Sequence, residues 1–154
     1  MRDFFQEQLK ELNRELVKMG ADCEDIIALA SDSLTGWNEK LAKNVSTIGA
    51  RIDEGYHTVE NICLKLLLRQ QPVAKDLRVI SAALKMITDM ERIGDQAEDI
   101  VEIVPFMNAH PDEKFPRIRE MAKAAQAMVT EAVDAYVKQD LELARKVMAY
   151  DDVV

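Results

Sequence analysis

Only two cysteines occur in 154 residues, so no disulfide framework holds this chain, and its stability must come from a buried core. Cys23 and Cys63 fall inside apolar heptad patterns, where a free thiol behaves as a small hydrophobe and suits a reducing compartment. Glycine (5) and proline (4) are scarce, while 48% of residues are hydrophobic, which excludes a disordered or low-complexity chain. Basic charge is also in deficit: 20 Lys and Arg against 28 Asp and Glu leave a formal net charge of −8 and a pI near 4.8. That balance opposes binding to phosphate backbones or anionic lipid, so nucleic acid is not an expected partner. No stretch approaches roughly 18 consecutive apolar residues, and Met1 to Leu12 is charged without the apolar run of a signal peptide. The expectation is a cytoplasmic protein with no transmembrane segment. A Gly-rich phosphate loop and a legible Ser or Cys nucleophile with its His and acid are absent too, which speaks against an enzyme.

What the chain does have is helical periodicity. Leu9, Leu12, Leu16, Met19, Cys23, Ile26, Ala30 and Leu34 recur in steps of three and four, predicting a helix from about Phe4 to Thr35 that Gly36 can cap. Leu41, Val45, Ile48, Ile52, Gly55, Val59, Ile62 and Leu66 predict a second helix to about Gln70, where Gln71-Pro72 breaks it. A third helix follows through Leu77, Ile80, Leu84, Ile87, Glu91, Gly94, Glu98 and Val101, with acids in its seam. Pro105 to Pro116 reads as a linker. A fourth helix carries Ile118, Met121, Ala125, Met128, Ala132 and Tyr136, and a fifth begins at Asp140, a candidate N-cap. The fold class is therefore all-α: an antiparallel three-helix bundle over residues 1–104, a linker over 105–116, and an incomplete second helical repeat over 117–154.

The repeat rests on an offset. Sliding the chain by 102 residues pairs residues 9–52 with 111–154, and seven of the 44 pairs are identical, among them Met19 with Met121, Leu41 with Leu143 and Val45 with Val147. The last residues show no helix stop, so the fifth helix reads as cut short.

Antiparallel helices joined by short turns allow heights to be matched by counting, at about 1.5 Å per residue. Glu91 and Asp53 are equidistant from Pro72, and counting from the Gly36-Trp37 turn brings Asp53 level with Ala21, beside Asp22 and Asp25. Glu91, Asp95 and Asp99 stack at i, i+4 and i+8. Like charges so placed repel, so Arg92, protonation or a multivalent cation should compensate them, and for a cation all-oxygen donors suit magnesium, manganese, calcium or iron, with His57 able to add one nitrogen. The alternative is a solvated acidic face. The candidate metal ligands are Glu91, Asp95, Asp53, Asp22, Asp25 and Asp99. Glu54 and His57 form a Glu-x-x-His pair, which a ferritin-like di-metal oxidoreductase would need twice, and only one copy is present. Lys65, Arg69, Lys75, Arg78 and Lys85 cluster against the overall acidity, as a partner contact or as complements to a helix dipole. The apolar stripe of helices four and five predicts a homodimer through residues of about 117–154, with the first bundle independent of it.

Gln70-Gln71-Pro72-Val73-Ala74-Lys75-Asp76-Leu77-Arg78, then Ala83-Leu84-Lys85 and Asp89-Met90-Glu91-Arg92-Ile93-Gly94-Asp95, resemble the PhoU family of phosphate-signalling regulators. The resemblance covers the first three helices and the opening of a second repeat. It implies a metal-binding acidic motif on the third helix, falling on Glu91 and Asp95, with a divalent or trivalent ion such as iron, manganese, magnesium or zinc as cofactor. It further implies a cytoplasmic, non-enzymatic negative regulator of the phosphate response. Its implied partners are the ATPase subunit of the phosphate transporter and the phosphate sensor histidine kinase.

Overall fold

The structure is a computed structural model that describes residues 2–69, 71–110 and 112–154. Five helices make it up: α1 (Arg2–Gly36), α2 (Glu39–Arg69), α3 (Ala74–Ile103), α4 (Pro116–Lys138) and α5 (Leu141–Tyr150). Short 3-10 turns follow α3 (Val104–Phe106) and α5 (Asp151–Val153), and no strand occurs among the described residues. The expected end of α2 at Gln70 and the linker's Pro111 lie outside those residues.

The heptad apolar positions of α1, α2 and α3 meet in one core. Leu12, Leu16, Met19, Cys23 and Ile26 interlock with Val45, Ile52, Val59, Cys63 and Leu66, and with Ile80, Ala83, Ile87 and Met90. Each such side chain removed from water contributes about 1.5–3 kcal/mol, and together they offset the ordering of helices about 45 Å long. On α3 the buried phase is Ile80, Ala83, Ile87, Met90, Gly94, Ala97 and Val101. Leu84, Glu91 and Glu98 therefore stand one position off the expected seam, at the edge of the core, and Leu77 is exposed. Carboxylates at the edge keep contact with water, which a central seam position would deny them.

Asn38, not Gly36, organises the first turn. No glycine among the described residues has a positive φ, and the Asn38 carboxamide accepts a hydrogen bond from the Leu41 N–H at 2.8 Å, opening α2. At the other turn Gln71 takes a left-handed conformation (φ 40°) before Pro72.

The 102-residue offset reappears in the geometry. α1 ends at Gly36 and α4 at Lys138, while α2 starts at Glu39 and α5 at Leu141. Asp140 accepts from the Leu143 N–H at 2.9 Å, as Asn38 does from Leu41.

One expectation is corrected here. The first bundle is not independent of the later helices, because α4 packs antiparallel along α1. Val133 is buried over Gly20, where an added Cβ would meet Val133 Cγ2 at 3.1 Å. Gln126 Nε2 donates to the Glu24 carbonyl at 3.0 Å, and Arg119 lies 3.5 Å from Asp32. Tyr136 Oη donates to the Val79 carbonyl of α3 at 2.8 Å. A heptad stripe states that a helix packs but not against what, and the α1 surface left uncovered by α2 and α3 was available.

Candidate functional site: an acidic groove between α2 and α3

Residues 84, 91 and 98 form the edge of α3 that faces α2, because positions seven apart return to one side of a helix. Near the C-terminal end of that edge, the Glu98 carboxylate lies on Gly49 of α2, where any Cβ would collide with it. The missing side chain at Gly49 thus makes room for a half-buried carboxylate. Burial pushes the Glu98 carboxyl above its ordinary value, and the charges of Asp95, Asp53, Glu102 and Asp99, in that order, push it further. Among the described residues none of these five acids makes an ion pair. The groove continues into an open cavity of about 740 Å³ bordered by Trp37, Ser46, Glu98, Glu102 and Phe106. Trp37 Nε1 donates to the Val101 carbonyl at 3.0 Å, tying the α1–α2 turn to the end of α3.

The structure divides the expected ligands between two grooves. Asp53, Asp95 and Asp99 surround Glu98, and Glu91 is half-buried two turns earlier on the same α3 edge. Asp22 belongs elsewhere: its Oδ1 lies 2.7 Å from Arg51 Nη2, in the α1–α2 groove beside Glu15, Lys18 and Glu54. Asp25 is exposed and makes no ion pair among the described residues. Among those residues no three His, Cys, Asp or Glu side chains stand close enough together to hold a metal ion as placed.

The counted heights explain part of this. Met19 abuts Gly55 and Asp22 reaches Arg51, so Asp53 is indeed level with Ala21. Across the α2–α3 turn, however, Ile52 packs on Gly94 and Gly49 on Glu98, which sets Asp53 opposite Ile93 and Gly94. Asp53 is therefore displaced from Glu91 towards Asp95 and Glu98, because the chain turns at Val73 rather than at Pro72. Glu98 was missing from the expected ligand set, and the signal that points to it is a glycine at the facing height of α2.

Glu54 borders the α1–α2 groove, while His57 is exposed with Nδ1 3.8 Å from Glu60. The Glu-x-x-His pair is thus separate from the acidic groove. Both cysteines are buried: burial and the Asp22 charge push the Cys23 thiol up to about 12, and burial with Glu60 pushes Cys63 to about 11. Neither is a thiolate at neutral pH, which removes nucleophilic sulfur from the site's chemistry. No described helix is long and apolar enough to cross a membrane.

An all-α chain of two related helical units with an acidic groove between α2 and α3 is a helical-bundle protein built on an internal repeat. The comparisons make this specific. The PhoU domain matches residues 16–104 and 118–154, two segments whose starts are again 102 residues apart, and the chain belongs to that family. It is 34% identical over 155 residues to a phosphate-specific transport system accessory protein PhoU homolog of Clostridium acetobutylicum, covering 99% of this chain and 71% of that protein. A homolog of the same description from Aquifex aeolicus is 32% identical over 148 residues, covering 96% of this chain and 67% of its own. The crystal structure of PhoU from Pseudomonas aeruginosa superposes with a TM-score of 0.85 at 29% identity, over 97% of this chain and 72% of that one.

Proposed function

We propose that this chain is a non-catalytic accessory component of a phosphate transport system, acting as a negative regulator between the transporter's ATPase subunit and a phosphate sensor kinase. The relatives' descriptions as phosphate transport accessory proteins support the transport role. The regulatory role rests on membership of the family, and the acidic α2–α3 groove is the observation that carries the cation site. Burial and four neighbouring acids disfavour the charged form of Glu98, and a hard cation bound beside it would offset that cost. Asp53 from α2 and Asp95, Glu98 and Asp99 from α3 are hard oxygen donors of the kind such an ion takes, with Glu91 further along the same edge, and binding would have to draw them closer than the structure places them. The ion, of the iron, manganese, magnesium or zinc kind, would supply charge neutralisation, and the carboxylates would set the α2–α3 spacing that a partner reads. Asp22 is engaged with Arg51 and Asp25 stands apart, so neither enters this set.

Two measurements test the reading. Protein purified without chelator is expected to carry metal that a Glu91→Ala/Asp95→Ala variant loses; equal content in both ends the metal-site reading. The regulatory reading predicts that the ATPase subunit or the kinase's cytoplasmic region is retained on immobilised chain. Retention of neither would end it, whatever the metal result.

A further inference from the structure

The end of the bundle formed by the α2–α3 turn carries the opposite charge to the rest of the chain. Over residues 61–88 five basic residues stand against Asp76 alone, a local +4 in a chain of −8, so all other residues together carry −12. Lys85 is engaged with Asp89 at 3.5 Å. Lys65, Arg69, Lys75 and Arg78 are exposed and make no ion pair among the described residues. Lys65 and Arg69 sit at the C-terminal end of α2, where a helix dipole welcomes them. Lys75 and Arg78 sit in the first turns of α3, where the dipole opposes them, so helix stability does not account for these two.

Apolar side chains share the same tip. Leu68 is 83% exposed and Val73 68%, flanked by Leu64 and Leu77, all within two turns of the connection. Beside them opens a cavity of about 620 Å³ walled by Phe5, Leu9, Val79 and Val137, with Val73, Lys75 and Asp76 and several amide side chains also on its lining. It lies where the start of α1, the start of α3 and the end of α4 meet, so only the packing of α4 on α1 completes it.

We infer that this end of the bundle is a docking surface for an acidic amphipathic helix of a protein partner. An apolar side chain of that helix enters the cavity, its apolar face covers Leu68 and Val73, and its carboxylates meet Lys75, Arg78, Lys65 and Arg69. Charge complementarity selects this occupant. An anionic bilayer offers the same attraction at the tip but repels the −12 carried elsewhere, and a flat surface leaves the cavity unfilled.

A fluorescent peptide of about five helical turns, with Leu on one face and Glu on the other, titrated into the full chain by anisotropy is the probe. Saturable binding that weakens with salt is expected, together with a loss of about ten-fold in affinity for Lys75→Glu/Arg78→Glu. Leu68→Ser should also weaken binding without any change of charge, and these positions are exposed enough that circular dichroism should report an intact fold. Equal binding of a peptide with Lys in place of Glu overturns the inference. So does unchanged affinity in the charge-reversed variant, or sedimentation of the chain with phosphatidylglycerol vesicles in the absence of peptide binding.

Discussion

Glu98 shows how one residue can store a site's electrostatic cost. Its carboxyl is held above the ordinary value first by desolvation and then by its acidic neighbours. The folded chain therefore keeps this proton to a higher pH than the unfolded chain does, and stability falls as pH rises through the interval above the ordinary value of 4.5. In metal-free protein, Glu98→Gln is expected to melt higher than the native chain at neutral pH, with the difference vanishing below 4.5. Thermal melts across that range check it, and a variant that melts lower at neutral pH contradicts it. The acids of α3 were legible in the sequence because i, i+4 spacing survives any packing detail. That Glu98 is the one whose carboxyl burial perturbs was not. It depends on which α3 position slides over Gly49, and a shift of one helical position on α3 exchanges a central seam for an edge.

At the scale of elements, the helices themselves were legible because long three-four patterns leave little ambiguity, and the second repeat was legible as an offset that both capping side chains reproduce. The partner of α4 was not. Its apolar stripe reads equally as a surface for another chain or for α1, and the deciding fact is the small side of α1 at Gly20, which lets Val133 approach. Val133→Asp places an unpaired carboxylate in that contact, at a cost of about 2–4 kcal/mol. Hydrogen exchange is expected to show lost protection in α4 and α5 while the cores of α1, α2 and α3 stay protected. Unchanged protection in α4 would mean that α4 is held elsewhere.

As a whole molecule, the bundle is polar along its length, with unpaired acids towards the α1–α2 turn and unpaired bases at the α2–α3 turn. Between α1, α3 and α4 it also leaves an apolar groove of about 640 Å³ lined by Ile27, Ile93, Ile100, Ile118 and Met121. Pairing of two copies across this groove, with closed twofold symmetry, is our expectation for the isolated chain. Light scattering should then give a mass near twice 17.4 kDa, and Met121→Glu should return it to one chain. A monomer at high micromolar concentration contradicts the pairing. The net charge and the basic cluster could be counted from the sequence, but the two cavities beside them exist only because α4 folds back.

The single tryptophan has a consequence for how the molecule can be watched. Trp37 is pinned by its indole N–H to Val101 and borders the cavity that Glu98 and Glu102 also line. Its emission therefore reports from the acidic end of the bundle and from nowhere else. A paramagnetic ion such as manganese arriving among the carboxylates would quench that light, while events at the basic tip, a bundle length away, would leave it unchanged. The chain carries its own optical reporter, and it needs no label.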